Sequence, residues 1–184
     1  MDSRRLFRIL YPWRVRSALF VLIALLVLAR PSWASVAAGL PLTAIGLLIR
    51  AWASGHIRKE KALAVSGPYR HTRNPLYLSN FLLGLSVAIG SRSWWGAGLF
   101  LAYFLVFYPP VILEERERMI RLFPGAYDDF RKAVPLFFPR LTPRPGTEPS
   151  GWSRALYLKN KEYRALIGAA VIWAVLVARV LLAA

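Results

Sequence analysis

Apolar residues in this chain gather into five runs, at residues 17–29, 32–49, 76–90, 94–113 and 165–184, and the polar residues gather between them. Runs of this length predict α-helices that cross a bilayer, whose hydrocarbon core of ~30 Å needs ~20 helical residues. The first run rises only ~20 Å by itself. It spans if residues 10–13 and 32–33 join it while Arg16 and Arg30 snorkel to the surfaces. A basic start, a short apolar core and small residues near 33–38 also fit a signal peptide. A helical hairpin turning at Pro31 fits better, because further spans follow. Trp94 and Trp95 suit an interfacial belt at the head of the fourth run. The expected fold is an all-α integral membrane protein of about five transmembrane helices.

Charge sets the orientation. The chain is 57% hydrophobic and 18% charged, with a mean hydropathy of +0.41, yet 25 basic against 9 acidic residues give a net charge of +16. Basic residues before, between and after the first four runs number 5, 1, 6, 1 and 11, and Arg179 completes the 25. Positive charge marks the cytoplasmic side. The N-terminus and both long polar segments are therefore expected inside, and both short turns and the C-terminus outside. The acidic residues fall in the same inside segments, so the positive charge reads as a collar facing anionic lipid rather than a nucleic-acid surface. Arginine outnumbers lysine 20 to 5, which suggests a GC-rich bacterial source and hence the bacterial inner membrane. Cysteine is absent, which excludes a disulfide framework or a thiolate nucleophile, and two lone histidines make no metal cluster. Arg179 lies inside the fifth run, where exposure to lipid costs at least ~2.5 kcal/mol near the centre; it is expected to snorkel outward or to meet a second copy.

Four parts are expected: residues 1–65, an N-terminal transmembrane hairpin and cytoplasmic loop; 66–139, a core of two transmembrane helices with polar motifs; 140–164, a Pro/Gly-rich linker and basic segment; and 165–184, a C-terminal transmembrane helix. The candidate chemistry sits in the second. Gly67-Pro68 and Asn74-Pro75 are turn signals, with Pro75 suited to the first position of the third helix and Asn74 to its N-cap. Such a helix start is an anion site, with Arg70, His71 and Arg73 around it. Pro109-Pro110 predicts a kink or break in the fourth helix. Glu114, Glu115 and Glu117 at a helix end would oppose its dipole, so the helix is expected to continue to about Phe123, with Glu114/Arg118 and Glu117/Arg121 as i,i+4 pairs. A carboxylate one turn below the prolines can instead reach into the bundle, where it is costly unless it binds something. Gly125, Tyr127, Phe130 and Val134-Pro135 read as a turn and a short amphipathic helix.

These residues resemble a known family. Gly67-Pro68-Tyr69-Arg70 with Arg73-Asn74-Pro75-Leu76-Tyr77, followed by Glu114-Glu115, Phe123-Pro124-Gly125, Tyr127-Asp128-Asp129-Phe130 and Val134-Pro135, resembles the motifs of the isoprenylcysteine carboxyl methyltransferase and phospholipid methyltransferase family. Asn74 stands where histidine is usual, and Pro109-Pro110 where the prenylcysteine branch has an arginine. The resemblance implies an integral membrane methyltransferase that uses S-adenosylmethionine, with a cytoplasmic-side cofactor pocket formed by the polar segments and a lipid or lipophilic acceptor entering from the bilayer. It implies cofactor contacts from Tyr69, His71, Asn74, Pro75, Tyr77, Leu78, Glu114 and Glu115, and catalytic parts for Glu115, Arg73 and Tyr77. Glu114 or Glu115 would meet the ribose diol or the amino group. Asn74 would meet the tail carboxylate, and Tyr69, Tyr77 or Leu78 the adenine. The alternative is a membrane-embedded NADPH-dependent reductase of the sterol-reductase type. Oligomeric state has no signal in the sequence. The charge count generates a direct expectation: single cysteines introduced at Ser3 and Ala184 react with an impermeant reagent from opposite faces of oriented vesicles, and labelling of both from one face means that one run does not span.

Overall fold

The computed structural model describes residues 3–58, 61–145 and 151–183, with side chains from residue 12 onward. Every regular element among them is helical: α1 (Ser3–Val27), α2 (Trp33–Ser54), a 3-10 turn (Gly67–Arg70), α3 (Pro75–Ser91), α4 (Trp94–Leu122), α5 (Ala126–Ala133), α6 (Arg154–Lys159) and α7 (Tyr163–Ala183). Among them α2, α4 and α7 are long and apolar enough to cross a membrane, and α3 is a shorter apolar helix. Lys59, residues 146–150 of the linker, Ala184, and the side chains of Arg4, Arg5 and Arg8 lie outside the described residues.

Local chemistry explains the boundaries. After Pro31, Ser32 and Ser35 close a reciprocal capping box, with Ser32 Oγ accepting from the Ser35 N–H at 3.3 Å and Ser35 Oγ accepting from the Ser32 N–H at 2.9 Å. Pro75 opens α3, where its missing N–H costs nothing. Ser93 Oγ accepts from the Gly96 N–H at 3.2 Å and starts α4. The break expected at Pro109-Pro110 does not occur. Helix α4 runs on to Leu122, because the residues beyond the prolines are held by packing: Val111 and Ile112 are buried, and Met119 and Ile120 enter a second apolar cluster. Farther along α4, Arg121 reaches Glu114 at 3.4 Å and Arg116 reaches Glu117 at 2.7 Å.

The N-terminal hairpin expected from sequence does not form as such: the chain turns at Pro31, but α1 and α2 then pack on different partners, and only α3 and α4 pack as consecutive helices. Helix α2 packs along α3 and α1 along α4, while α7 covers α2 and α3. Their shared core includes Leu25, Val36, Val87, Phe100, Phe104, Trp173 and Leu176. Many apolar side chains on the outside, such as Leu48, Leu105 and Leu182, remain exposed, as suits a lipid-facing surface.

Polar pins fix α7 within this apolar setting. The Trp173 indole donates to Thr43 Oγ1 at 2.7 Å, and Thr43 and Ser86 share a hydrogen bond of 2.7 Å, so α7, α2 and α3 are joined through one chain of donors and acceptors. The indole fits because two glycines face it: a Cβ at Gly39 would stand 2.5 Å from it, and one at Gly90 2.6 Å. Arg179 finds its partners within the chain. Its guanidinium donates to the carbonyls of Leu26 and Val27 at the end of α1, where the helix dipole is negative.

A methyl group at Gly39 should therefore force the indole and α7 apart. Gly39→Ala is expected to destabilise the purified protein by about 1–3 kcal/mol, read as a lower unfolding temperature in detergent. Gly98→Ala, where a Cβ meets nothing within 4 Å, is expected to leave that temperature unchanged.

Candidate functional site

The end of the bundle where α2 and α4 finish and α3 and α7 begin holds a cavity of about 390 Å³. That volume falls within the ~300–1,000 Å³ usual for small-molecule sites. One wall is the segment leading into α3. Gly67 adopts φ +58°, a left-handed conformation that favours glycine, and the chain turns there into Pro68-Tyr69-Arg70. Residues 70–74 are then zipped to the chain that comes after α5. The Arg73 N–H donates to Pro135 O at 2.9 Å, Thr72 Oγ1 to Phe137 O at 2.8 Å, and the Arg140 N–H to His71 O at 3.0 Å. Arg70 and Arg144 continue the zip, Arg70 Nε donating to Arg144 O at 2.8 Å and the Arg144 N–H to Arg70 O at 3.1 Å. The motif before α3 and the Val134-Pro135 region are thus one structural unit.

Within the cavity Tyr77, one turn into α3, donates its phenol hydrogen to Glu115 Oε2 of α4 at 2.6 Å, and its ring stands edge-on to Tyr108 with centroids 5.8 Å apart. Arg73 donates to Tyr127 OH at 3.2 Å and lies over the Tyr127 ring at 5.8 Å. Arg50, in the last turns of α2, is held by Glu162 and by Asn80 Oδ1. Two donors in the wall, Tyr69 OH and Arg73 Nε, are buried with no hydrogen-bond partner. Burial, and after it the Glu115 carboxylate, push the Tyr69 phenol well above its ordinary range, so it remains a protonated donor. Buried polar groups are rarely left unsatisfied, so two in one wall call for an explanation.

The structure brings together six of the residues singled out from sequence: Tyr69, Arg73, Asn74, Pro75, Tyr77 and Glu115 all line the cavity. Three stand elsewhere. Glu114 turns away to Arg121. Leu78 is buried outside the lining. His71 donates from Nδ1 to Arg140 O at 2.8 Å, with its ring 6.0 Å from that of Trp52. Asn74 holds the N-cap position, but its side chain does not cap α3: Nδ2 donates to Leu136 O at 2.9 Å, because the chain after α5 offers a carbonyl there. Arg14, Arg50, Asn80, Met119 and Glu162 also line the cavity and were not foreseen. Two had a signal: Asn80 is a carboxamide inside an apolar run, and Glu162 is the last acidic residue, placed immediately before the fifth run.

An all-helical bundle with an apolar exterior, three of its helices long and apolar enough to cross a membrane, and a cavity lined by carboxylate, guanidinium and phenol groups at one end are the features of an integral membrane protein with a candidate small-molecule site. Residues 34–126, half of the chain, match the phospholipid methyltransferase family, and the chain belongs to it. Over 139 residues it is 31% identical to the nickel-cobalt-cadmium resistance protein NccN of Alcaligenes xylosoxydans xylosoxydans, a match covering 71% of this chain and 64% of that protein. Over 106 residues it is 33% identical to the cobalt-zinc-cadmium resistance protein CzcN of Cupriavidus metallidurans, covering 56% and 47% respectively. The chain spans less than two thirds of the length of either curated relative. No solved structure matches it.

The Asn74 contact has a measurable consequence. Asn74→Asp keeps the shape and loses the donor, leaving a carboxylate against the Leu136 carbonyl. It is expected to cost about 1–3 kcal/mol of stability, visible as a lower unfolding temperature without any ligand, and Asn74→Ala is expected to cost less than Asn74→Asp.

Proposed function

We propose that this protein transfers a methyl group from S-adenosylmethionine to a lipid or lipophilic acceptor at the cytoplasmic face of a bacterial inner membrane. On this reading five helices span, the N-terminus lies in the cytoplasm, residues 66–139 form the catalytic core, and the cavity opens where the basic segments gather. The observation that carries the proposal is the pair of buried donors without acceptors, Tyr69 OH and Arg73 Nε, in the wall of a cavity that also holds the Tyr77–Glu115 pair. Family membership favours methyl transfer over the reductase alternative.

The residues suit the cofactor's parts. Tyr69 OH and Arg73 Nε would donate to its carboxylate or ribose oxygens. The Glu115 carboxylate would accept from a diol or an ammonium. The aromatic faces of Tyr127, Phe123 and Phe130, which line the cavity, would pack on the flat base. Bound there, the cofactor supplies an electrophilic methyl group on a sulfonium. The chain supplies alignment and exclusion of water. The Tyr77 hydrogen bond holds Glu115 Oε2 in one orientation. Oε1 remains for the proton that an amine or hydroxyl acceptor must release, whereas a carboxylate acceptor needs no base. The names of the two relatives concern resistance to nickel, cobalt, zinc and cadmium; on our reading, a part for this chain in such resistance passes through methylation of a membrane component.

Purified protein should be stabilised by S-adenosylmethionine or its demethylated product and not by NADPH. The shift should approach about 2.7 kcal/mol at a hundredfold excess over the dissociation constant. Labelled methyl should pass into a bacterial lipid extract, and Glu115→Gln should lower that transfer at least about tenfold, the worth of one charge-assisted hydrogen bond. Stabilisation by NADPH alone, with no methyl transfer, would overturn the proposal in favour of the reductase.

A further inference from the structure

The cavity is not completed by the segment that matches the family. Residues 34–126 provide Arg50, Tyr69, Arg73, Tyr77, Asn80 and Glu115, but the carboxylate that holds Arg50 comes from Glu162, thirty-six residues beyond the match (162 − 126).

Glu162 is delivered by a strap fastened to the end of α2. The last carbonyls of a helix have no partners within it. Here the chain before α7 supplies donors to Ser54 O and Gly55 O, to Ile57 O just beyond, and a further one to Ala51 O, which the Gly55 N–H already reaches. The Trp152 indole donates to Ala51 O at 3.0 Å, and the Ser153 N–H to Gly55 O at 3.0 Å. Asn160 Nδ2 donates to Ser54 O at 3.0 Å and to Ile57 O at 3.4 Å. The fit at Gly55 leaves no room for a side chain, since a Cβ there would stand 2.1 Å from the Trp152 ring. Lys161 then takes φ +56°, a left-handed conformation that turns the chain inward at the next residue. Glu162 thus enters the cavity with its side chain 9% exposed, and Arg50 stands against it at 21%.

Its effect on Arg50 is specific. Glu162 Oε2 takes the Nε hydrogen and Asn80 Oδ1 a hydrogen of Nη1. A guanidinium has five N–H donors in a planar fork, so fixing those two edges fixes the direction of the third. That third edge, Nη2, belongs to a side chain lining the cavity. The carboxylate does not neutralise the cavity as a whole: its lining holds Arg14, Arg50, Arg73, Arg116 and Arg118 against Glu115 and Glu162.

We propose that Glu162 is a positioning residue of the methyl-transfer site: through its ion pair it aims the Nη2 edge of Arg50 at an anionic oxygen of a bound ligand, so that the site is complete only with the strap docked on α2. The inference rests on the function proposed above and adds a component from outside the matched region. The anionic oxygen belongs either to the cofactor's carboxylate tail or to the head group of the lipid acceptor.

The experiment uses the full chain, purified in detergent and supplied with bacterial lipid extract. Wild type, Glu162→Gln, Arg50→Gln and the double variant are compared for unfolding temperature, for KM and kcat in methyl transfer, and for affinity for S-adenosylhomocysteine and for the same compound lacking its carboxylate. Glu162→Gln is expected to raise the KM for one ligand about tenfold, while kcat changes less. If the cofactor tail is the partner, the KM for S-adenosylmethionine rises, and the wild-type preference for the carboxylate-bearing compound shrinks by the same factor. If the lipid head group is the partner, the KM for lipid rises and that preference stays. In either case the double variant, which restores charge balance, should match Arg50→Gln, because both substitutions remove one unit. Wild-type KM values in Glu162→Gln, a loss that only tracks the folded fraction, or a double variant worse than Arg50→Gln would each overturn the positioning role. A wild-type protein that neither transfers methyl nor responds to the cofactor would instead remove the reading of function, and this inference with it.

Discussion

A guanidinium in an apolar bundle has to be met by oxygen, and the arrangement of this protein depends on how that constraint is satisfied at two places. Burying an unpaired charge is costly enough that structures avoid it. At one end, Arg179 of α7 is met by the carbonyls of Leu26 and Val27, which end α1. At the other, Arg50 of α2 is met by Glu162 and Asn80. Both contacts bring together pieces distant in sequence: Arg179 ties the far end of α7 to α1, and Glu162, just before α7, ties its near end to α2. The Trp173–Thr43–Ser86 chain fixes its middle. Helix α7 lies outside the segment that matches the family, yet it is built into this bundle by three independent polar contacts.

The same constraint shapes the cavity. Tyr77 is satisfied by Glu115, Arg50 by Glu162 and Asn80, and one edge of Arg73 by Tyr127. Tyr69 OH and Arg73 Nε are the buried donors left over among the described residues. On the function proposed here, that remainder is met by acceptor oxygens of a ligand, beside a cavity of about 390 Å³ that also holds a carboxylate and several aromatic faces. A zwitterionic nucleoside cofactor offers carboxylate and ribose oxygens to those donors, an ammonium to the carboxylate and a flat base to the rings.

Much of this was legible in the sequence, where physics is local. Pro31 with Ser32, Pro75, and the apolar runs beginning near 32, 76, 94 and 165 gave helix starts within a residue or two of those observed. The expectation that α4 would carry Glu114 and Glu115 on to about Phe123 came from the helix dipole, and α4 ends at Leu122. Which of the two carboxylates faces inward was not legible, because adjacent residues differ by about 100° around a helix and the rotation of α4 is set by its packing. The unbroken path through Pro109-Pro110 was not legible for the same reason: the prolines weaken the helix locally, and the burial of Val111, Ile112 and Met119 against other elements restores it. Asn74 reads as a cap until the Leu136 carbonyl, sixty-two residues away, claims its amide. Arg50 and Glu162 look like unrelated charges of two separate polar segments until the strap brings them together.

The central claim is that the cavity between the start of α3 and the far half of α4 is where S-adenosylmethionine binds. Ultraviolet crosslinking of labelled S-adenosylmethionine to the purified protein, with peptide mapping of the product, tests this most directly. The account predicts label on peptides that contain Tyr69–Tyr77 or Met119–Phe130, and its loss when unlabelled S-adenosylhomocysteine is added in excess. Competable label confined to the opposite end of the bundle, on the turns around Pro31 or Arg92, would contradict it.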